Sequence, residues 1–188
     1  HNKAALATEK GYFKRSLVPV KNELGDVLLS DDELIRPGSS IESMARLNPS
    51  FEALGAQGSD ELLCKSFPEV DHIPHHHHPG NSPGMVDGAS LALLATGEMA
   101  ASLGLPVRAE IIGFSAKSAA AIEGLTGGYA AAKDVLERTG IAGEDIDLWE
   151  FNEGFAATAM NFAKQLDVPL DRYNVNGGGI AMGHAMGA

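Results

Sequence analysis

The sequence ends in GGGIAMGHAMGA, residues 177–188, a stretch that contains five glycines and one histidine. Imidazole is the side chain best suited to exchanging protons near neutral pH, and glycines let a ligand approach the backbone closely. A nucleotide-phosphate loop of the G-x-G-x-x-G type is a poor match, because Met182 stands where the third glycine belongs and no Gly-Lys-Ser/Thr follows. A lone histidine is more often structural than catalytic, so His184 is at this point only a candidate acid or base.

A second candidate, FNEGFAA at residues 151–157, lies where a predicted strand ends and a predicted helix begins. Asn152 and Glu153 stand at about the position of a helix N-cap, where a short polar side chain accepts hydrogen bonds from free helix N–H groups. The carboxyl ends of strands in an α/β sheet are also where ligands bind, so the same position suits a catalytic amide. Position alone leaves both interpretations open.

A run of histidines, His72 and His75 to His78, raises the question of a metal site beside Asp71. His72 and His75 could face one ion, but structural zinc takes four well-placed ligands and nothing nearby supplies cysteines. We therefore expect no metal site, with most of the run solvated and one histidine in contact with a ligand.

The elements that must position these residues differ between the two halves of the chain. We predict a helix ending near Gly11, a hairpin around Leu24 to Asp26, and then a long irregular stretch, residues 36–90, with one short helix at about 41–46. After Met85, helices and strands alternate at the spacing of βα units, which indicates an α/β fold. The predicted order is helix 90–105, strand 107–116, helix 127–141, strand 146–153, helix 154–167 and strand 173–179.

The composition argues against several classes of partner. The formal net charge is −11, from 14 basic and 25 acidic side chains without a basic cluster, which argues against nucleic acid or an anionic membrane. The single cysteine, Cys64, cannot form an internal disulfide, and no signal peptide or membrane-inserting stretch is visible, so we expect a cytoplasmic protein. Because the chain starts at His1 and stops within a glycine-rich segment, we expect it to be an internal piece of a longer polypeptide.

Taken together, the two candidate segments resemble those of the thiolase family. FNEGFAA is similar to the family pattern NEAFA, and NVNGGGIAMGHAMGA is similar to NVNGGAIAxGHPxGA. Upstream, HNKAALA, IRPGSSIESMARLNPSF and PGNSPGMVDGAS are similar to SHNKA, RPGTTLEKLAxLKPAF and AGNSSGxxDGAA. The resemblance covers the chain in order and implies a thiolase-like layered α/β/α/β/α fold. It places residues 1–84 in part of the CoA-binding loop domain and residues 85–188 in a truncated C-terminal α/β domain, so we expect the fold to be incomplete in this chain.

The resemblance implies an acyltransferase that cleaves 3-ketoacyl-CoA with free CoA, giving acetyl-CoA and a shortened acyl-CoA. His184 matches the family histidine that activates a nucleophilic cysteine and contributes to an oxyanion hole, and Asn152 matches the asparagine that fixes a water completing that hole. The matched substrate-binding positions are Asn81, Ser82, Pro83, Met85, Gly154 and Phe155. Coenzyme A is a substrate in this reaction, so the resemblance implies no cofactor.

The chain departs from the family pattern in places that matter for activity. Pro83 replaces a serine that contacts the pantetheine of CoA, and Ala185 replaces the proline after the histidine. The nucleophilic cysteine and a second catalytic cysteine, in a CxG motif, belong to parts of the family pattern outside these 188 residues. Cys64 is in neither context, so we expect the chain to be inactive by itself.

The stretch between Gly55 and Gly80 is longer than in biosynthetic acetoacetyl-CoA enzymes and resembles the degradative thiolases of fatty-acid β-oxidation. Two alternatives are a biosynthetic acetyl-CoA acetyltransferase and a non-catalytic acyl-CoA-binding relative, for example of the sterol-carrier type. The resemblance also implies a homodimer or homotetramer, with a β-oxidation multienzyme complex as a further partner.

Overall fold

The computed structural model describes residues 1–187, which hold eight α-helices and one two-stranded sheet. In chain order these elements are α1 (Asn2–Glu9), β1 (Val20–Lys21), β2 (Val27–Leu29), α2 (Ile41–Met44), α3 (Glu52–Leu54), α4 (Asp60–Ser66), α5 (Gly97–Ser102), α6 (Gly127–Thr139), α7 (Ala156–Gln165) and α8 (Gly179–Met182). A π-helical turn, Gly55–Ser59, joins α3 to α4, and 3-10 turns lie at Ala121–Glu123 and Gly143–Asp145. No helix within this range is long and apolar enough to cross a membrane.

The first helix and the hairpin confirm the sequence prediction. The helix α1 ends at Glu9, two residues before Gly11, and the antiparallel strands β1 and β2 place Val20 opposite Leu29. The turn of the hairpin is held by Asn22, whose Oδ1 accepts hydrogen bonds from the backbone N–H groups of Leu24 at 3.0 Å and Asp26 at 2.8 Å. An asparagine that bonds the backbone ahead of it is a common way to close such a turn.

The stretch of residues 36–90 contains more helix than predicted. The short helix α2 lies where it was expected, but α3, the π-helical turn and α4 follow it, so the prediction of a single helix is wrong. The sequence of α4 explains this, because Asp60 and Glu61 occupy its first turn and Lys65 its last, which complements the helix dipole. Lys65 also forms an ion pair with Glu61 one turn earlier, at 2.6 Å.

The core lies in the second half of the chain, where α7 packs beside α6. Ala159, Phe162 and Ala163 are buried and recur at the three- and four-residue spacing of one helix face. The Phe162 ring stacks on Phe151, with ring centroids 4.2 Å apart. The other buried members of the core are Trp149, Val168 and Tyr173. Both α6 and α7 lie where the sequence predicted helices.

The predicted strands of the second half are much reduced. Trp149 and Tyr173 form a single parallel bridge, in which the Trp149 N–H donates to the Arg172 carbonyl at 2.8 Å. The prediction of a strand over residues 107–116 is wrong for the described residues, because a strand needs a partner for its backbone N–H and C=O groups and none lies beside this segment.

The predicted helix over residues 90–105 is also only partly correct. Helix α5 begins after Thr96, whose hydroxyl accepts a hydrogen bond from the Met99 N–H at 3.2 Å as an N-cap. The leucines before this cap are exposed; Leu91 is 98% exposed. Short helices depend on the burial of an apolar face, and Leu91, Leu93 and Leu94 are all more than 70% exposed, so too little apolar surface is buried here to hold a helix.

Candidate functional site

Four separate segments meet in the structure. They are helix α1, the turn Gly80–Met85 (the Asn81 turn), residues 151–156 (the Asn152 segment) and residues 174–184 (the glycine-rich segment). The Ala156 N–H donates to the Asn81 carbonyl at 3.0 Å, and the His184 N–H donates to the Gly84 carbonyl at 2.8 Å. The segments singled out in the sequence are therefore joined by direct backbone hydrogen bonds.

His184 is half-buried and held through its backbone. It forms a parallel bridge with Met85, and its carbonyl accepts from the Val86 N–H at 3.5 Å in addition to the bond with Gly84. The preceding Gly183 has φ 96° and ψ 165°, a conformation open essentially to glycine alone, and a Cβ there would collide with the Val86 side chain. These backbone contacts fix the position from which the imidazole ring extends.

Asn152 is not a helix N-cap. Helix α7 begins at Ala156 with Phe155 as its N-cap, where the Phe155 N–H donates to the Thr158 hydroxyl at 3.4 Å. The Asn152 side chain is exposed, and it lines a cavity of about 460 Å³ together with Gly154, Thr158 and Phe151 on one side and the Lys117–Ala119 loop on the other. The N-cap interpretation of Asn152 is therefore wrong.

Glu153 connects the Asn152 segment to the glycine-rich segment. Its Oε1 accepts a hydrogen bond from the Asn174 Nδ2 at 2.9 Å, and its Oε2 accepts one from the Ile180 N–H at 3.0 Å. The sequence suggested only a capping role for Glu153 and none for Asn174. Burial, and next the negative charges of Glu153 and Glu150, raise the pKa of the nearby Tyr173 hydroxyl.

The Asn81 turn is closed by Asn81 itself. Its Oδ1 accepts from the His78 N–H at 2.9 Å and its Nδ2 donates to the His76 carbonyl at 2.8 Å. Ser82 and Pro83 are half-buried, and the Met85 side chain is 86% exposed. The turn therefore presents a rigid backbone with one large apolar side chain free for contact.

Phe155 lies in an aromatic cluster with His77 and Phe51. The His77 ring meets the Phe155 ring edge-on with centroids 4.8 Å apart, and Phe51 lies 6.0 Å from Phe155. Burial, and next the charges of His76 and His78, lower the pKa of His77. The histidine run thus reaches the Asn152 segment through His77.

A second cavity, of about 380 Å³, lies between α1 and the glycine-rich segment. Asn81, Glu153 and Asn174 line it, with Lys3 on the side of α1. Gly177 lies so close to this helix that a Cβ would come within 2.6 Å of the Ala4 Cβ. His184 lines neither this cavity nor the first one, so Asn152 and His184 lie on connected segments without sharing either of these two cavities.

The histidine run forms no metal cluster in the part of the chain that the structure describes, residues 1–187. His75 instead pairs with Asp60 of α4, with His75 Nε2 at 2.9 Å from the Asp60 Oδ2. The one cysteine, Cys64, is a half-buried free thiol on the same helix.

Family models match most of the chain. The model described as "Thiolase, N-terminal domain" matches residues 1–59, and the model described as "Thiolase, C-terminal domain" matches residues 105–188. Glu153, Asn152 and His184 all lie within the second match.

Curated proteins match along nearly all of the chain. An acetyl-CoA acetyltransferase of Thiocystis violacea is 36% identical over 190 residues, which are 99% of this chain and 43% of that protein. A 3-ketoacyl-CoA thiolase of Aliivibrio fischeri is 36% identical over 194 residues, which are 100% of this chain and 45% of that protein. The chain thus spans less than half the length of these relatives.

Two solved structures show the same fold. The acetyl-CoA acetyltransferase of Bacillus anthracis has a TM-score of 0.80 at 32% identity, covering 98% of this chain and 42% of its own. The dimeric peroxisomal thiolase of Saccharomyces cerevisiae has a TM-score of 0.82 at 31% identity, with the same coverage. These similarities confirm the predicted thiolase-like α/β fold.

Proposed function

Because the chain belongs to the thiolase family, we propose that the full-length protein cleaves a 3-ketoacyl-CoA with free CoA to give acetyl-CoA and a shortened acyl-CoA. The observation that carries the proposal is the contact between the Asn81 turn and the two segments that hold Asn152 and His184. The Ala156 N–H donates to the Asn81 carbonyl at 3.0 Å, and the His184 N–H donates to the Gly84 carbonyl at 2.8 Å. The turn that we propose to bind substrate therefore contacts both of these segments.

In this reaction His184 takes the proton of a nucleophilic cysteine, whose thiolate attacks the keto carbon of the substrate. Cleavage of the adjacent carbon–carbon bond gives acetyl-CoA, protonated by the second catalytic cysteine, and leaves the acyl group on the nucleophile. The thiol of CoA then attacks the acyl-cysteine and gives its proton to the second cysteine, which the first step left as a thiolate. The nucleophilic cysteine leaves as a thiolate and regains its proton from His184. His184 and a water held by Asn152 stabilise the negative charge on the thioester oxygen, as preorganised donors do in other acyl transfers.

The Asn81 turn and the start of α7 supply the proposed contacts to CoA and the acyl group. The positions are Asn81, Ser82, Pro83, Met85, Gly154 and Phe155. Met85 supports this role because its side chain is 86% exposed while its backbone forms the parallel bridge with His184. Pro83 has no hydroxyl, so contact with pantetheine at this position is apolar in our proposal.

We propose the degradative direction, as in fatty-acid β-oxidation. Support comes from the length of residues 55–80, which resembles that of degradative thiolases; this stretch holds the π-helical turn, α4 and the histidine run. A biosynthetic acetyl-CoA acetyltransferase is the second candidate, because the Thiocystis violacea relative with that name is as similar as the Aliivibrio fischeri 3-ketoacyl-CoA thiolase, at 36% identity each.

The assembly and the cellular location belong to the same proposal. We expect a homodimer or homotetramer, supported by the similarity to the dimeric thiolase of Saccharomyces cerevisiae, and a β-oxidation multienzyme complex as a further partner. The division at residues 84 and 85 into a loop domain and a C-terminal domain is also proposed, as is a cytoplasmic location, which rests on the single free thiol of Cys64.

The proposal is tested by measuring thiolysis of acetoacetyl-CoA and of longer 3-ketoacyl-CoA substrates by the full-length protein and its His184→Ala variant. The variant keeps the backbone bonds to Gly84 and Val86, so we expect it to fold and to lose turnover. His72→Ala, at an exposed position in the histidine run, is the matched control and should retain turnover.

Undiminished turnover in His184→Ala would refute the role of this histidine. Absence of turnover in the wild type, together with CoA binding in equilibrium dialysis, would instead support a non-catalytic acyl-CoA-binding protein. Faster condensation of two acetyl-CoA molecules than thiolysis of long substrates would favour the biosynthetic candidate.

A further inference from the structure

The Glu153 carboxylate is bonded on both sides within the site. Its Oε1 accepts from the Asn174 Nδ2 at 2.9 Å, and its Oε2 accepts from the Ile180 N–H at 3.0 Å. Both partners belong to the glycine-rich segment, whereas Glu153 itself follows Asn152. One side chain therefore spans the gap between the two segments that hold the proposed catalytic residues.

The position of the carboxylate is closely defined by its surroundings. Asn174 is 3% exposed and is held by two further bonds to the Phe151 backbone, so it cannot turn away to another partner. On the opposite side, a Cβ at Gly178 would lie 2.5 Å from the Glu153 Cδ, so only glycine allows the backbone to approach this closely. Hydrogen bonds to a charged acceptor are also stronger than those to a neutral one.

The hydrogen bond to Ile180 holds the short helix α8, which lies just before His184. Ile180 lies in the first turn of α8, which spans only Gly179–Met182, and Gly183 then leads directly to His184. A four-residue helix has little stability of its own, so its orientation depends on outside contacts such as this one. The backbone of Glu153 is directly joined to Asn152, so the same residue connects α8 to Asn152.

From this arrangement, we propose that Glu153 is a positioning residue that sets the distance between Asn152 and His184. It does not touch the reacting atoms in this scheme, and it acts through α8 on one side and through its own backbone on the other. The inference rests on the proposed thiolase function, since the importance of that distance comes from the oxyanion that both groups stabilise. A displacement of about 1 Å in such a site lowers the rate by about 100-fold.

The test compares Glu153→Gln with Glu150→Gln in the full-length protein. Glutamine keeps the shape of the side chain but replaces one carboxylate oxygen by an NH2 donor, so either the Asn174 Nδ2 or the Ile180 N–H loses its acceptor. Glu150→Gln makes the same change of charge three residues earlier, at an exposed side chain, and is the matched control.

Three measurements are made on each variant. Hydrogen–deuterium exchange followed by mass spectrometry reports protection of the peptide that contains Ile180, and the rate of His184 modification by diethyl pyrocarbonate reports the surroundings of the ring. Steady-state thiolysis gives kcat and KM. We expect Glu153→Gln to exchange faster in that peptide, to change His184 reactivity, and to lower kcat about 10- to 100-fold with KM within about twofold of wild type.

The outcomes separate this inference from the proposed function. The positioning role of Glu153 would be overturned if Glu153→Gln showed wild-type exchange or wild-type His184 reactivity. It would also be overturned if Glu150→Gln had an equal effect. If exchange and His184 reactivity change while kcat does not, the claim that Glu153 sets a catalytic distance is also overturned. A wild-type protein without turnover would refute the proposed function, while altered exchange and reactivity in Glu153→Gln would still support the positioning of His184.

Discussion

The Asn174 side chain pairs with the backbone of Phe151 as a neighbouring strand would. The Phe151 N–H donates to the Asn174 Oδ1 at 2.8 Å, and the Asn174 Nδ2 donates to the Phe151 carbonyl at 3.0 Å. This pairing continues the parallel bridge between Trp149 and Tyr173 by one step. Asn174 itself has φ 42°, a positive value that asparagine tolerates better than most residues.

Replacement of Asn174 by aspartate should therefore destabilise the protein strongly. Asn174→Asp keeps the shape and the acceptor but removes the donor to Phe151 and Glu153, and it places a second carboxylate beside that of Glu153. Leaving buried groups unsatisfied costs about 1–3 kcal/mol each, and more where charge is involved. Thermal and urea unfolding at neutral pH should show at least that loss.

The control for this change is Asn48→Asp, at an exposed position outside the site. It introduces the same charge and should lower stability by less than about 0.5 kcal/mol, as surface substitutions usually do. Equal losses in the two variants would contradict the pairing of Asn174 with Phe151 and Glu153.

Gly183 should not accept a side chain. Its φ of 96° with ψ 165° costs a non-glycine residue about 1–3 kcal/mol, and a Cβ would also meet the Val86 side chain. We expect Gly183→Ala to lower the melting temperature and, because His184 follows directly, to reduce turnover as well. Gly187→Ala is the matched control, since a Cβ there meets no atom of residues 1–185 within 4 Å. A Gly183→Ala protein with wild-type stability and kcat would refute this assignment.

The sequence predicted local structure well where local signals decide it. Gly11 follows the end of α1 as predicted, and α6 and α7 lie where helices were predicted over residues 127–141 and 154–167. Each of these features depends on residues within a few positions of one another.

Features that depend on distant residues could not be predicted in this way. The strand over residues 107–116 needs a pairing partner, and its own β-branched and aromatic residues cannot supply one. The bond from Glu153 to Ile180 joins residues 27 positions apart, and a single sequence carries no signal that a carboxylate and a backbone N–H will meet. The family resemblance placed Asn152 and His184, but it did not indicate what holds them in relation to each other.

Asn152→Ala should affect catalysis without affecting the fold. The side chain is exposed and α7 is capped at Phe155, so its removal leaves the helix intact. If Asn152 holds the water of the oxyanion hole, its loss should raise the barrier by about 2.7–4 kcal/mol, the usual effect of one missing donor. Thiolysis by the full-length variant measures this, with circular dichroism as the check on folding. A loss of structure, or an unchanged kcat, would contradict the assignment.

His77 should make the protein less stable in acid. Burial beside Phe155 lowers the pKa of this ring below the value of about 6.5 that a free histidine has, so the unfolded chain takes up the proton first as pH falls. The contribution of His77 to stability is thus complete above pH about 6.5 and declines from there toward the lowered pKa of the folded protein.

His77→Phe keeps an aromatic ring in the cluster and removes the titration. It also replaces Nε2, which is buried without a hydrogen-bond partner in residues 1–187, by an apolar group. The melting temperature should therefore fall less between pH 7.5 and pH 5.5, values chosen to span about 6.5, in His77→Phe than in the wild type. His72→Gln, at an exposed histidine of the same run, should keep the wild-type dependence on pH. Parallel curves for wild type and His77→Phe would show that the ring does not titrate as its burial requires.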